Sequence, residues 1–233
     1  MKKKSGLNMK KMFKHEKVDI GYDDMVAETT DAGRTYHAPN GKSYPSITTV
    51  LSVLSEDSIR AWRKRVGEEE ANIISGKASR RGTKVHSIVE KYLNNEDTTD
   101  FLPHIRQSLE NLRPVLDESI SKIYSLEAAL YSDHLGIAGR CDCVAEYNGV
   151  PSIIDFKTSR KPKKKEWIHS YFAQGAAYAI MWEERTGMSI PNIVIVMDVD
   201  HEKPEVFVEH RDNWTKLLKD TINEYKTRKM FGH

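Results

Sequence analysis

The 233-residue sequence contains only two cysteines, Cys141 and Cys143. Two thiolates cannot complete a four-thiolate zinc or iron–sulfur site. The C-x-C spacing predicts both side chains on one side of a strand, pointing into a core, where a disulfide between such neighbours is geometrically poor. Buried free thiols in a reducing compartment follow. Long apolar runs are also missing, so no window reaches transmembrane length. The N-terminus begins Met1-Lys2-Lys3-Lys4 and stays basic to Lys17, without the apolar stretch of a signal peptide or the Arg-rich amphipathic character of a transit peptide. The expectation is a cytoplasmic protein, not secreted, with a flexible basic arm over residues 1–18. An excess of one charge is absent as well: 36 basic residues stand against 34 acidic ones. Net charge therefore does not announce nucleic-acid binding. No internal repeat or low-complexity segment is present, which excludes solenoid and propeller architectures.

What is present is an ordinary globular composition, 39% hydrophobic and 30% charged, enough for one substantial domain with its own core. The basic residues are clustered. Arg60, Arg63, Lys64 and Arg65 form one group, and Lys77, Arg80, Arg81 and Lys84 a second. Lys157, Arg160, Lys161, Lys163, Lys164 and Lys165 form a third. Such groups can track phosphates; any one of them taken alone reads first as a solvated helix face. Trp62, among the first group, reads as a core residue of the helical region.

From Asp19 to Tyr44 the chain reads as irregular, with turn signals at Ala32-Gly33 and Pro39-Asn40-Gly41. Ser46 is positioned to cap a short helix through Leu54. Further helices are predicted over about 56–75, 83–94 and 102–117, with Gly82 as the break before Val85, Ile88, Val89 and Tyr92 form an apolar stripe. After Ser119 the texture changes to strands over about 123–131, 137–147 and 150–158. A helix over about 165–186, strands at 192–199 and 205–210, and a C-terminal helix from Asp212 to about Lys229 follow. The fold class is α/β or α+β, with a helical N-terminal region over 19–118 integrated with a strand-containing core over 119–233.

Asn148-Gly149 between two strand-like runs is a strong hairpin signal, because both residues tolerate positive φ. A two-residue loop pairs Tyr147 with Val150 and, by the same register, Asp142 with Asp155. Directly opposed side chains have Cβ atoms roughly 4.5–5.5 Å apart. Lys157, two residues beyond Asp155, shares its face, with Val144 and Ile153. Cys141, Cys143, Ala145, Ile154 and Phe156 are expected on the other. Two opposed carboxylates repel unless something offsets them. A hard divalent cation held by their oxygens would do so. A pair of rim aspartates with a lysine salt bridge is the other reading that the register leaves open.

The residues around this hairpin resemble a family. Gly139-Arg140-Cys141-Asp142 followed by Ile153-Ile154-Asp155-Phe156-Lys157-Thr158-Ser159 resembles the core of RecB-type nucleases of the PD-(D/E)XK superfamily. Gly82-Thr83-Lys84-Val85-His86 with Glu90 is similar to their upstream helix motif, Glu127 to the acidic residue of their first core strand, and Gln174 with Tyr178 to their Q-x-x-x-Y motif. Within that family the similarity is greatest to the mitochondrial genome maintenance exonuclease branch and its phage-encoded relatives, through residues 142–147, 154–159 and Lys161-Pro162-Lys163. Arg34-x-Tyr36, Gly41 and Tyr44-Pro45-Ser46-Ile47-Thr48 also fit. The similarity covers roughly residues 34–230.

That resemblance implies a PD-(D/E)XK restriction-endonuclease-like core, with a central mixed sheet flanked by helices. It implies Asp142, Asp155 and Lys157 as catalytic residues. The implied ligands of Mg2+ or Mn2+ are His86, Asp142, Asp155, the Phe156 backbone carbonyl and Glu127. Glu90, Gln174 and Tyr178 are accessory. Arg80, Arg81, Lys84, Arg140, Thr158, Ser159, Lys161, Lys163 and Lys164 are candidates for DNA contact. Some RecB-type relatives carry an iron–sulfur cluster on four cysteines, which this sequence does not have. The expected function is a metal-dependent DNA exonuclease of replication, recombination or repair. It acts on single strands or free ends in a bacterial or phage-infected cell, with other replication or recombination proteins as further candidate partners. A structure-specific endonuclease on the same fold and a silent DNA-binding module are the alternatives. The intact Asp142, Asp155 and Lys157 set argues against the silent module.

Overall fold

The computed structural model describes residues 11–232. A mixed six-stranded sheet forms its centre, in the order β1-β5-β6-β7-β8-β9. Strand β6 (Ile137–Tyr147) lies antiparallel between β5 (Ile120–Ser132) and β7 (Val150–Ser159), and β7 pairs in parallel with β8 (Asn192–Val199). Strand β9 (Glu205–His210) closes one edge antiparallel to β8, and β1 (Lys14–His15) lies parallel to β5 on the other. Of the flexible arm expected over 1–18, residues 1–10 lie outside the described residues. The remainder is held down, with Phe13 buried against Tyr92.

Helices cover both faces. On one lie α1 (Ile47–Leu51), α5 (His169–Thr186) and α6 (Asp212–Phe231), with Phe172, Ala176 and Trp182 of α5 fully buried over Val144, Ile153 and Ile193. On the other lie α3 (Glu68–Leu93) and α4 (Pro103–Ser119), which pack Val85, Ile88, Leu112 and Leu116 over Cys143, Ile154 and Phe156. Helix α5 is the crossover between parallel β7 and β8, and it lies close to the sheet. A Cβ added at Gly175 would sit 2.3 Å from Ile193 Cγ2. The run of alanines around Gly175 serves the same close approach.

Two stretches differ from the sequence expectation. Residues 19–44, read as irregular, contain an antiparallel sheet of β2 (Val26–Thr30), β3 (Gly33–His37) and β4 (Ser43–Pro45). It packs through Tyr36 and Tyr44 onto Ala129, Tyr131 and Ala138 of the main sheet. Its strands are short and β2 is exposed throughout, so no apolar alternation marks it. The helix break expected at Gly82 lies instead at Gly67, which has φ 89° and joins α2 (Glu56–Val66) to α3. Helix α3 runs through Gly76 and Gly82 for 26 residues. A helical glycine costs roughly 1 kcal/mol without forcing a break, and packing of the apolar stripe offsets it. Trp62 on α2 is half-buried rather than part of a core layer. No helix among the described residues is long and apolar enough to cross a membrane.

Candidate active site

The hairpin register is the one that Asn148-Gly149 imposes. Asn148 and Gly149 have φ 49° and 79°, and Tyr147 pairs with Val150 through to Cys143 with Ile154. The backbone ladder stops there. Asp142 Oδ2 instead accepts the Phe156 N–H at 2.8 Å. One aspartate carboxylate thus ties the two strands together where they begin to part. A strand sends one residue's N–H and C=O to the same side, so the Phe156 carbonyl also faces Asp142.

Strand β7 alternates regularly, with Ile153, Asp155 and Lys157 toward α5 and Ile154 and Phe156 toward α3 and α4. Strand β6 does not. Cys141 packs in the α5 layer and Cys143 in the α3 layer, so the expectation that both point to one side fails. Both are free thiols. On β5 the same slip separates Leu126 from Ala128. The residues at the slip are Asp142 and, one strand away, Glu127. Glu127 has φ 51°, a left-handed conformation rare for a residue with a side chain. Arg140 Nη1 donates to the Glu127 carbonyl at 2.7 Å and so braces this backbone. Both acids at this break in the pleat line the cleft.

Helix α3 completes the cluster. His86 Nδ1 lies 3.5 Å from Asp142 Oδ1, and donor atoms of His86, Glu127 and Asp142 all fall within 4.8 Å of one another. Asp155 is 1% exposed. Its Oδ1 has no hydrogen-bond partner among the described residues, and its Oδ2 meets the Lys157 ammonium at 2.5 Å, outside hydrogen-bond alignment. An orphaned buried carboxylate oxygen beside a His–Glu–Asp cluster fits a hard divalent cation, which takes oxygen donors readily and tolerates an imidazole. His86, Glu127, Asp142 and Asp155 are the side chains that would hold it.

The electrostatics show the same crowding. Burial pushes the Glu127 carboxyl up to about 7, with the charges of Asp142 and Glu90 adding to it. Burial also raises Asp155; the Lys157 charge pulls back and the Asp142 charge pushes up again. His86 is opposed by burial, yet its hydrogen bond to Asp142 and the charges of Asp142 and Asp155 lift it to about 9. Asp142 ends below its ordinary value because His86 and Lys157 outweigh its burial. Lys157 stays charged for the same reason, held by Asp155 and Asp142.

Lys157 Nζ also donates to Gln174 Oε1 at 3.3 Å, and Gln174 Nε2 donates to the Tyr178 hydroxyl at 3.1 Å. The i,i+4 pair on α5 therefore forms one chain of hydrogen bonds to the lysine. Gly139 has room for nothing more: a Cβ there would lie 2.8 Å from the Tyr178 ring. All these groups, with Glu90, line a cleft of about 550 Å³.

The candidates for DNA contact divide. Arg80 and Lys84 are exposed on α3. Arg81 is already engaged, with 2.7 Å contacts to both Asp198 and Asp200. Arg140, besides bracing Glu127, pairs with Asp24 at 2.5 Å. Thr158, Ser159, Lys161 and Lys163 line a neighbouring groove, and Lys164 lies over the exposed Trp167 ring. The cleft also contains residues that the sequence reading did not assign to it: Arg34, Tyr36, Ser46, Thr48, Thr83 and Ser87. The first four come from β3 and the start of α1, where Ser46 Oγ accepts from the Thr49 N–H. Only the motif similarity at Arg34-x-Tyr36 and 44–48 marked that segment.

Several known proteins are similar to this chain. Mitochondrial genome maintenance exonuclease 1 of Mus musculus is 33% identical over 131 residues, covering 52% of this chain and 38% of the relative. The Homo sapiens protein of that name is 29% identical over 130 residues, covering 51% and 38%. The match thus spans less than two fifths of the curated relatives' length. A crystal structure of a candidate exonuclease from Eubacterium rectale superposes with a TM-score of 0.44 over 64% of this chain and 65% of that one, at 16% identity. The sequence profile of the PD-(D/E)XK nuclease superfamily matches residues 49–230, a span that holds every residue of the acidic cluster, and the chain belongs to that superfamily.

Proposed function

We propose that this protein is a metal-dependent DNA exonuclease, hydrolysing phosphodiester bonds with Mg2+ or Mn2+ and preferring single-stranded DNA or free ends, in replication, recombination or repair. The observation that carries the reading is the unpaired, buried Asp155 Oδ1 beside Lys157 and the His86–Glu127–Asp142 cluster. A protein gains nothing from such a conflict unless a cation resolves it. The curated relatives, named as exonucleases, support the same direction.

When bound, the cation supplies Lewis-acid polarisation of a phosphoryl oxygen. Asp142 and Asp155 would hold it from neighbouring strands, with His86 and Glu127 completing the donor set. Lys157 is fixed by Asp155 and Gln174 with its ammonium charged. It donates toward the phosphate as negative charge builds there, the preorganised kind of stabilisation that costs no rearrangement during reaction. Tyr178 and Gln174 act by holding Lys157 in place.

The test is digestion of end-labelled linear single-stranded, linear duplex and circular single-stranded DNA with Mg2+, Mn2+ or chelator. The expected result is metal-dependent loss of the linear single strand, with circles spared. Lys157→Ala should lower the rate by about 10²–10³-fold or more, the scale on which one charge-stabilising donor acts. Cleavage of circles would replace the exonuclease with an endonuclease on the same fold. Inertness of the wild-type protein toward every substrate with both metals would overturn the nuclease reading.

A further inference from the structure

Helix α3 separates two concave surfaces. Its residues 82–90 line the catalytic cleft, whereas Ile74, Lys77, Ala78 and Arg81, one turn apart along one face, line a second groove of about 880 Å³. The facing wall is the end of β7 and the connection to α5, with Thr158, Arg160, Lys161 and Lys163. Ser159 Oγ donates to the Lys161 carbonyl at 2.7 Å and stiffens this connection.

The groove has the opposite electrostatic character to the cleft. Among the described residues, the side chains of Lys77, Arg160, Lys161 and Lys163 have no ion-pair partner, and these four cations with Arg81 outnumber the two acids of the lining, Glu70 and Asp200. Arg81 shares its charge between Asp200 and Asp198. Ile74, Ala78 and Tyr171 give the same groove an apolar side. The two spaces meet. Thr158 directly follows Lys157, and the Lys157 ammonium lies 5.0 Å from the centre of the Tyr171 ring. One tyrosine therefore contacts the cleft's lysine and lines the groove.

We propose that this groove binds an unpaired polynucleotide strand continuous with the one in the cleft, phosphates on Lys77, Arg160, Lys161 and Lys163 and bases against Ile74, Ala78 and Tyr171. The proposal rests on the nuclease reading above. Basic side chains beside an apolar wall match a strand that presents phosphates and base faces together. A duplex keeps its bases stacked inside and offers the apolar wall nothing. Lys77 lies nine residues from His86, about 14 Å along the helix axis, so a single nucleotide ester in the cleft does not reach it.

The test compares wild type with Lys77→Glu/Arg160→Glu, two exposed positions outside the acidic cluster, after thermal melting has confirmed that both fold. Binding of a fluorescent dT20 strand is followed by anisotropy in chelator across a salt series. Activity is read on dT20 and on the p-nitrophenyl ester of thymidine 5′-monophosphate. The expected result is at least tenfold weaker dT20 binding and a log–log salt slope shallower by about 1.4, since each phosphate contact on a single strand contributes about 0.7. Hydrolysis of the small ester should stay unchanged, and a blunt 20-base-pair duplex should show no comparable loss. Unchanged dT20 affinity and slope, or an equal loss on the duplex, would overturn the groove assignment while ester hydrolysis leaves the nuclease intact. If neither substrate is hydrolysed by wild type, the nuclease reading falls, and the dT20 titration still decides the groove. Should the double variant unfold, Arg160→Glu alone is read the same way, with a slope change of about 0.7.

Discussion

In the layer between the sheet and α5, Phe172, Ala176 and Trp182 are fully buried among aliphatic and aromatic neighbours. A short way along the same sheet, Asp155 is almost as deeply buried, with one oxygen unpaired and the other pressed against an ammonium. The first region is what burial favours: apolar surface leaves water and every local preference agrees. The second opposes burial. Three carboxylates and a histidine share the space, and two of the carboxylates are pushed up by their surroundings. Stability resides in the apolar layers, and chemistry in the cleft is maintained at their expense.

The sharpest way to break this contrast is a matched pair of substitutions. Phe172→Ala should lower stability by about 3–5 kcal/mol, the usual cost of a large core truncation. Asp155→Asn should change the melting temperature far less while abolishing metal-dependent hydrolysis. Denaturant titration and activity measured on the same samples check both. Comparable destabilisation by the two would mean that the cleft is part of the scaffold after all.

A smaller effect is the pH dependence of metal affinity. His86 and Glu127 hold protons in the metal-free protein up to about 9 and about 7. A cation takes the deprotonated donors, so binding releases protons. Affinity should therefore rise from pH 6 to 9, by up to about tenfold per pH unit for each proton displaced, and level off above that. Calorimetry with Mn2+ in buffers of different ionisation enthalpy measures the protons released. A flat profile would remove His86 and Glu127 from the ligand set.

The smallest expected effect concerns Glu127 alone. Its folded-state value is raised, so its contribution to stability is full below the ordinary carboxylate range and is lost as pH rises through about 7. Glu127→Gln removes that penalty. At pH 8 without metal, the variant should melt about 2–4 °C higher than wild type, and the gain should vanish near pH 4. Lower melting at pH 8 would show that the carboxylate is stabilising, contrary to the crowding described.

What was legible in the sequence was local. Asn148-Gly149 determined a turn and the turn a register from Tyr147–Val150 to Cys143–Ile154, because pairing along a ladder propagates residue by residue; the expected direct pairing of Asp142 with Asp155 lies one step past its end, where Asp142 takes the Phe156 N–H instead. The stripe Val85–Ile88–Val89–Tyr92 and the i,i+4 pair Gln174–Tyr178 were equally readable, since helical spacing alone puts such residues on one face. Similarity of motif then tied His86 and Glu127 to the hairpin. Neither spacing nor periodicity could place them there.

Contacts between distant segments decided the rest. At the pleat break of Glu127 and Asp142, Arg140 grips a carbonyl thirteen residues back, and the two cysteines face opposite layers although their spacing predicted one. The continuation of α3 through Gly82, the docking of β2–β4 that brings Arg34 and Tyr36 to the cleft, and the capture of Arg81 by Asp198 and Asp200 are of the same kind. Local preferences are worth about 1 kcal/mol or less per residue. Burial of a side chain against a partner far along the chain is worth several times that, so tertiary packing prevails wherever the two disagree.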